Sequence, residues 1–292
     1  MTIYNFGSLN IDHVYQIDHH PGAGETVSCI EFSIHAGGKG GNQSIAIARA
    51  GGKVNHVGKI GYDGLWMVEN MKNDGVETSN IFVSTKPTGH AIVQVDKKGQ
   101  NSIIIYGGTN KDISTDEIDS VLCKCQPEDS ILVQNEISNV EYLISQAGLL
   151  GLDIYFNPAP MSEDVFSYNL EKVKMLIINK KEGQMLSGKT TEESILNEII
   201  KKYPDGKVLL TLGEHGAIYA EKAGRIHVHG CKVPAVDTTG AGDVFIGYLL
   251  AGLQKKRDLE YSLSFANKAA AMSVTRRGAA ASIPKYTEVD KI

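Results

Sequence analysis

Short runs of aliphatic and β-branched residues recur along this chain and alternate with stretches whose apolar positions return every three to four residues. The runs Ile3–Phe6, Ser130–Gln134, Asp153–Phe156, Met175–Ile178 and Val208–Thr211 read as buried strands. Gln43–Ala50, Thr191–Lys202 and Val244–Leu253 carry the spacing of helices. Strand and helix in alternation predict an α/β chain built on a mainly parallel sheet, with ligands gathered at the C-terminal strand ends.

Two regions break this rhythm. From Asp12 to Ala36 and from His90 to Tyr106, apolar and polar residues alternate, as in Ala91-Ile92-Val93-Gln94-Val95 and Ser102-Ile103-Ile104-Ile105-Tyr106. Lys97-Lys98-Gly99 lies between those two runs as a turn. The pattern predicts antiparallel strands in a small, half-exposed sheet that serves as a lid or a dimer surface.

Composition narrows the picture. The 292 residues, 42% hydrophobic and 22% charged, are those of an ordinary globular chain with one large core or a core and a small appendage. A formal charge of −5, from 29 basic and 34 acidic side chains, gives no electrostatic reason for a nucleic-acid partner. The opening Met1-Thr2-Ile3-Tyr4-Asn5-Phe6-Gly7 lacks a basic segment followed by a long apolar one, so neither a signal peptide nor a membrane anchor is expected, and the expected location is cytoplasmic. The four cysteines are too few and irregular for a disulfide framework, and Cys123-Lys-Cys125 lacks the C-x-x-C spacing of zinc or redox sites.

Gly183-Gln-Met-Leu-Ser-Gly188-Lys189-Thr190 satisfies the pattern of a phosphate-binding P-loop. We reject that reading. Met185 and Leu186 suit the buried face of a short helix beginning near Lys181, with Gly188 just past its end and Thr190 with Glu193 capping the next helix.

The segment richest in chemistry is Val236-Asp237-Thr238-Thr239-Gly240-Ala241-Gly242-Asp243-Val244-Phe245. Phe245, Tyr248, Leu249 and Leu253 share a helical face, so a helix starts near Ala241 and is pinned to the core. The small residues before it leave backbone N–H groups uncovered, and such groups at a helix N-terminus attract anions. Gly240, Ala241 and Gly242 therefore suit an anion hole for a transferring phosphoryl group. Asp243, in the first turn, is expected to be held ionised by the helix dipole and to accept the proton of an attacking hydroxyl. The competing reading is a tight turn with a stabilising first-turn acid.

With these residues in view, the sequence resembles the ribokinase-like (PfkB) carbohydrate kinases along nearly its whole length. Gly7-Ser8-Leu9-Asn10-Ile11-Asp12 resembles the family's opening strand end, and Gly37-Gly38-Lys39-Gly40-Gly41-Asn42-Gln43 its first glycine signature. Asp237 to Asp243 resembles the second signature, D-T-x-x-A-G-D. Thr88-Gly89, Gly99-Gln-Asn101, Asn157-Pro158, Asn179-Lys-Lys-Glu182, Thr211-Leu-Gly213 and Ser273-Val-Thr-Arg-Arg-Gly278 follow in the family's order.

The resemblance implies a three-layer ribokinase-like fold over residues 1–292, with lid strands from about 12–36 and 90–106. It implies a sugar held by Asn10, Asp12, Gly38, Lys39, Gly40, Gly41, Asn42, Glu136 and Asp243, with Asp243 as general base. ATP is implied along Asn179, Thr211, Leu212, Gly213, Glu214, His215, Gly216, Gly242 and Asn267, the last beside the adenine. Mg²⁺ is implied at Asn179 and Glu182 through water. A monovalent cation, K⁺, is implied at Asp237, Thr239, Ser273, Arg276, Gly278 and Ser282, the alternative being that Asp237 only caps its loop.

Asn10, Asp12, Lys39, Asn42 and Glu136 together match the ribokinase pattern, so ribose is the favoured sugar and a homodimer through the lid the expected assembly. Deoxyribose, fructose or a nucleoside are the alternative acceptors, and a non-catalytic sugar-binding regulator the alternative class. Trp66 stands where the G-x-D-x-x-G pattern beginning at Gly61 ends in glycine, which predicts a reshaped turn, and Cys29 replaces a lid glycine.

Overall fold

The computed structural model describes residues 1–291. In chain order its strands are β1 (Ile3–Phe6), β2 (Asn10–Gln16), β3 (Glu31–Gly37), β4 (Val54–Gly61), β5 (Glu77–Ser84), β6 (Gly89–Val95), β7 (Asn101–Tyr106), β8 (Ser130–Gln134), β9 (Asp153–Asn157), β10 (Met175–Asn179), β11 (Lys207–Thr211), β12 (Ala217–Glu221) and β13 (Gly224–Val228). The helices are α1 (Lys39–Arg49), α2 (Leu65–Asn73), α3 (Thr115–Leu122), α4 (Val140–Leu149), α5 (Lys180–Ser187), α6 (Glu192–Lys202), α7 (Ala241–Gln254), α8 (Leu259–Ser273) and α9 (Tyr286–Val289).

Nine strands form one sheet in the order β13-β12-β11-β10-β9-β8-β1-β4-β5. Pairing is parallel from β11 to β5, and antiparallel only at β12 and β13. Alternation along each strand assigns its side chains to the two covering layers. Ile131 and Val133 of β8 join the apolar cluster containing Ile118 of α3, Leu143 of α4 and Ile195 of α6, whereas Leu132 joins the one containing Ile47 of α1 and Leu249 of α7. Val208, Leu209 and Leu210 of β11 divide the same way. This is the three-layer arrangement expected. It brings the ends of β1, β8, β9, β10 and β11 to one edge of the sheet.

The second sheet, β3-β2-β6-β7, is the expected small one. Its outer pairs are antiparallel, but its central pair, β2 with β6, is parallel, in register from Asn10 with Gly89 to Gln16 with Val95. Alternation reveals which residues share a face, not strand direction, and the intervening chain folds into the main sheet as β4 and β5. β7 is exposed throughout, with Ile104 64% and Ile105 59% accessible.

The P-loop look-alike is α5 and its cap. Gly188 ends the helix with φ +68°, a conformation that favours glycine. Two details differ from expectation. Met185 is exposed while Glu182 and Gly183 are buried, and the cap of α6 is formed by Thr191 with Ser194 rather than Thr190 with Glu193. Trp66 lies in the first turn of α2, partly exposed, and leaves the preceding turn closed by Asp63, which accepts from the Thr88 amide at 3.1 Å and hydroxyl at 2.6 Å. Among the described residues no helix is long and apolar enough to cross a membrane.

Candidate active site

α7 begins at Ala241, as its apolar face predicts, and Val244, Phe245, Tyr248 and Leu249 are buried against the sheet. Each such side chain contributes about 1.5–3 kcal/mol by leaving water, which fixes where the helix mouth lies. Gly240 precedes it with φ +75°, and no side chain caps it. Gly242 is exposed, and a Cβ there would meet no protein atom within 4 Å. The mouth is therefore open on the Gly242 side and carries no side-chain cap, although the Ala241 N–H donates to the Thr238 carbonyl at 3.3 Å.

Asp243 points inward, 8% exposed. Its Oδ2 accepts from Asn42 Nδ2 at 3.1 Å and its Oδ1 from Gln43 Nε2 at 2.9 Å. Burial raises the Asp243 pKa above the ordinary aspartate value, although the Lys39 charge and those two hydrogen bonds oppose the rise. Desolvation therefore acts against the ionised form expected from the helix dipole, and Lys39, Gln43 and Asn42 act with the dipole. A raised carboxyl is the better proton acceptor near neutral pH.

Asn42 Oδ1 is buried and, among the described residues, has no hydrogen-bond partner. A buried acceptor left unpaired beside a candidate base suits a ligand hydroxyl.

The strand ends of β1 and β8 bring the predicted sugar-side groups into the same region. Glu136, just beyond β8, accepts from the Ser8 hydroxyl and from the Lys39 N–H at 3.1 Å, so it stands at the otherwise uncapped start of α1. Asp12 on β2 is pushed up to about 7 by burial and by the nearby Glu136 charge. Gly37, paired with Asn10 on the neighbouring strand, leaves room for the Asp12 carboxylate, which a Cβ there would displace. Burial works against the Lys39 ammonium, but Asp243, Glu136 and Glu182 around it outweigh that and raise its pKa. Gly38, φ +91°, lies against the Ser8 carbonyl, and Gly40 and Gly41 let α1 pack directly on the Gly7–Leu9 segment.

Several positioning residues escaped sequence reasoning. Asn110 accepts from the Leu9 N–H at 3.0 Å and donates to the Leu9 carbonyl at 3.1 Å and Asn10 Oδ1 at 2.8 Å. This leaves the Asn10 amide nitrogen free to donate to a ligand. Asn5, Gln43, Gln134 and Asn157 form a buried amide cluster beside Asp243. A polar residue inside an otherwise apolar strand, such as Asn5 or Gln134, is a signal present in the sequence that the reading of it passed over.

On the far side, Asn179 and Glu182 form a reciprocal cap at the start of α5. Glu182 N–H donates to Asn179 Oδ1 and Asn179 N–H to Glu182 Oε2, both at 2.9 Å, while Asn179 Nδ2 donates to Glu182 Oε1 at 2.7 Å. Burial raises the Glu182 pKa, against the pull of those bonds and Lys39. Each carboxylate oxygen retains lone-pair capacity for a metal-bound water, so the pair fits an outer role toward Mg²⁺.

Thr211 ends β11, and Leu212, Gly213, Glu214, His215 and Gly216 form the turn into β12, with Glu214 and His215 exposed. Asn267 is not free to face a ligand with its amide nitrogen, which donates to the His229 carbonyl.

Asp237 Oδ1 accepts from the Thr239 amide at 2.9 Å and hydroxyl at 2.6 Å, and Oδ2 from the Gly278 amide at 2.8 Å. Although burial opposes it, these bonds and Arg277 hold its carboxyl below the usual value. The amides of Val236 and Asp237 both donate to the Val274 carbonyl, bringing this loop to the Ser273 segment. The Ser273 and Ser282 hydroxyls donate within their own turns, and Arg276 pairs with Glu288 at 2.6 Å. Arg276 can offer a cation only its backbone carbonyl oxygen, while Ser273 and Ser282 have carbonyl and hydroxyl oxygens. Among the described residues no group of three or more His, Cys, Asp or Glu side chains is placed to bind a metal directly.

Comparison with known proteins shows the family and the fold of the whole chain. The model of the pfkB family of carbohydrate kinases matches residues 2–286. A ribokinase of Schizosaccharomyces pombe is 35% identical, the match covering 99% of this chain and 97% of that protein. The crystal structure of a ribokinase from Thermotoga maritima superposes with a TM-score of 0.89 at 33% identity, covering 100% of this chain and 98% of the other. An Arabidopsis thaliana ribokinase complexed with ribose and ATP gives a TM-score of 0.87 at 30% identity over 99% and 97% of the two chains.

Proposed function

The chain belongs to the pfkB family of carbohydrate kinases, and from that premise we propose that it transfers the γ-phosphoryl group of ATP to the primary hydroxyl of D-ribose, giving ribose 5-phosphate and ADP. The observation that carries the reading is the position of Asp243, held by Asn42 and Gln43 at the open mouth of α7 with the orphaned Asn42 Oδ1 beside it.

In the reaction, the sugar lies between Asn10, Asp12, Lys39, Asn42 and Glu136, beside the backbone of Gly38, Gly40 and Gly41. Asp243 takes the hydroxyl proton as the sugar oxygen forms its bond to the γ-phosphorus and the bond from that phosphorus to the bridging oxygen of ADP breaks. The amides of Gly240, Ala241 and Gly242 face the charge on the transferring group. ATP lies along Thr211–Gly216 toward Asn267, across the ends of β10 and β11. Asn179 and Glu182 would hold Mg²⁺ through its waters, and the ion would supply neutralisation of phosphate charge. The loop of Asp237, Thr239 and Gly278, with backbone near Ser273, Arg276 and Ser282, would hold K⁺, which would supply stiffness to the anion hole.

We read residues 1–292 as one domain whose small sheet covers the sugar and excludes water. Phe32, Ile34, Ile104 and Tyr106, each about half exposed or more, share the face of that sheet opposite Asp12 and support a homodimer through paired lids. A reaction that consumes ATP is assigned to the cytoplasm. The test is ADP release measured across ribose, deoxyribose, fructose and nucleosides, with and without K⁺. Ribose should give the highest kcat/KM, and sugar binding without ADP from any of them would instead identify a regulator.

A further inference from the structure

Gln43 is fully buried on α1, one residue past Asn42. Its Nε2 donates to Asp243 Oδ1 at 2.9 Å and to Asn157 Oδ1 at 3.3 Å, while its Oε1 accepts from Gln134 Nε2 at 2.7 Å. Two backbone carbonyls fix the direction of these bonds. The Gly40 carbonyl can only accept, so Asn5 presents Nδ2 to it at 2.8 Å and turns Oδ1 toward Gln134, which donates at 2.9 Å. The same Gln134 nitrogen donates to Gln43 Oε1, so Gln43 must turn its own nitrogen to Asp243. Independently, Asn157 Nδ2 donates to the Ile177 carbonyl at 2.9 Å, which leaves Asn157 Oδ1 as an acceptor toward Gln43.

We propose that this one-way chain of amides, anchored on the Gly40 and Ile177 carbonyls, makes Gln43 a positioning residue for Asp243. It offers the acid a donor and no acceptor, so Oδ1 is kept as an unprotonated oxygen of fixed direction and the carboxylate plane is set for the attacking hydroxyl. This rests on reading Asp243 as the base. The charged groups that also face Asp243 are Lys39, Glu136 and Glu182, and none of them substitutes for a directed donor on Oδ1.

The test compares the full-length protein with Gln43→Leu and Gln43→Glu, each checked for a folded far-UV spectrum, and with Gln134→Met, which frees Gln43 to turn. Expected are a kcat for ribose about 10–100-fold lower in both Gln43 variants, as for loss of a hydrogen bond to a charged group, and a ribose KM within about threefold of the parent. Gln134→Met should show a smaller fall in the same direction. In ligand-free protein, the carbon-13 NMR titration of the Asp243 carboxyl should move to higher pH in the Gln43 variants. That titration does not depend on the reaction, so its shift in a protein inactive on every sugar would support the amide chain and sink the kinase reading alone. A folded Gln43→Leu protein with parental kcat and an unmoved Asp243 titration would overturn the proposal, as would an unmoved titration in Gln134→Met and Gln43→Glu should Gln43→Leu fail to fold.

Discussion

Asn42 and Asp243 lie 201 positions apart in the chain and meet through a 3.1 Å hydrogen bond, Asn42 Nδ2 donating to Asp243 Oδ2. Each comes from the first turn or so of its helix, α1 for one and α7 for the other, and both helices are pressed on the same side of the sheet by the core that contains Ile47 and Leu249. Packing of two amphipathic helices thus delivers a polar pair to the sheet edge, and the chemistry of the site depends on that packing.

Gly242 distinguishes an anion hole from a mere tight turn. A methyl group there meets no protein atom and alanine is the better helix residue, so Gly242→Ala should leave Tm unchanged or slightly raised. If phosphate oxygens occupy the mouth, kcat falls by at least about tenfold. Thermal melts and ADP-release kinetics on the same preparation check both halves, and an active Gly242→Ala enzyme would remove the phosphoryl group from this helix mouth.

Asp12 is raised to about 7, so the folded protein keeps a proton that the unfolded chain releases near pH 4. For a raised carboxyl the stability contribution is complete below the unfolded value and is lost as pH rises through about 7. Asp12→Asn should therefore be more stable than the parent at pH 8, by about 1–3 kcal/mol, and no more stable below about pH 4. The same variant should bind ribose far more weakly. Denaturant curves at the two pH values measure the first effect and calorimetry the second; equal stability at pH 8 would contradict the assigned burial.

The exposed face carrying Ile34 and Ile104 predicts a dimer. Sedimentation at micromolar concentration should find the parent dimeric and the Ile34→Glu, Ile104→Glu double variant monomeric, since two charges per lid cannot be buried unpaired. A monomeric parent would refute the paired-lid assembly.

Much of this was legible in the sequence, for physical reasons that differ by element. Ile3–Phe6 and Ser130–Gln134 were delimited to the residue, because short, mostly apolar runs bounded by polar residues and glycine admit little else. The start of α7 followed from the facing of Phe245, Tyr248 and Leu249. The parallel pairing of β2 with β6 was not legible, since two strands separated by other elements carry no local sign of direction. Asn179 and Glu182 were read for metal, and their spacing of three also makes the reciprocal helix cap that the structure displays. The amides Asn5, Gln134 and Asn157 gain meaning only when strands far apart in sequence become neighbours.

The account turns on Asp243 as the proton acceptor. Ribose-dependent ADP release by Asp243→Asn, set beside its ribose affinity, tests this most directly. Asparagine preserves the shape and one acceptor but cannot take the proton, so kcat should fall by about 10²–10⁴-fold while the ribose Kd stays within a few fold of the parent. A variant that retains most of its kcat would contradict the assignment of this acid as the base.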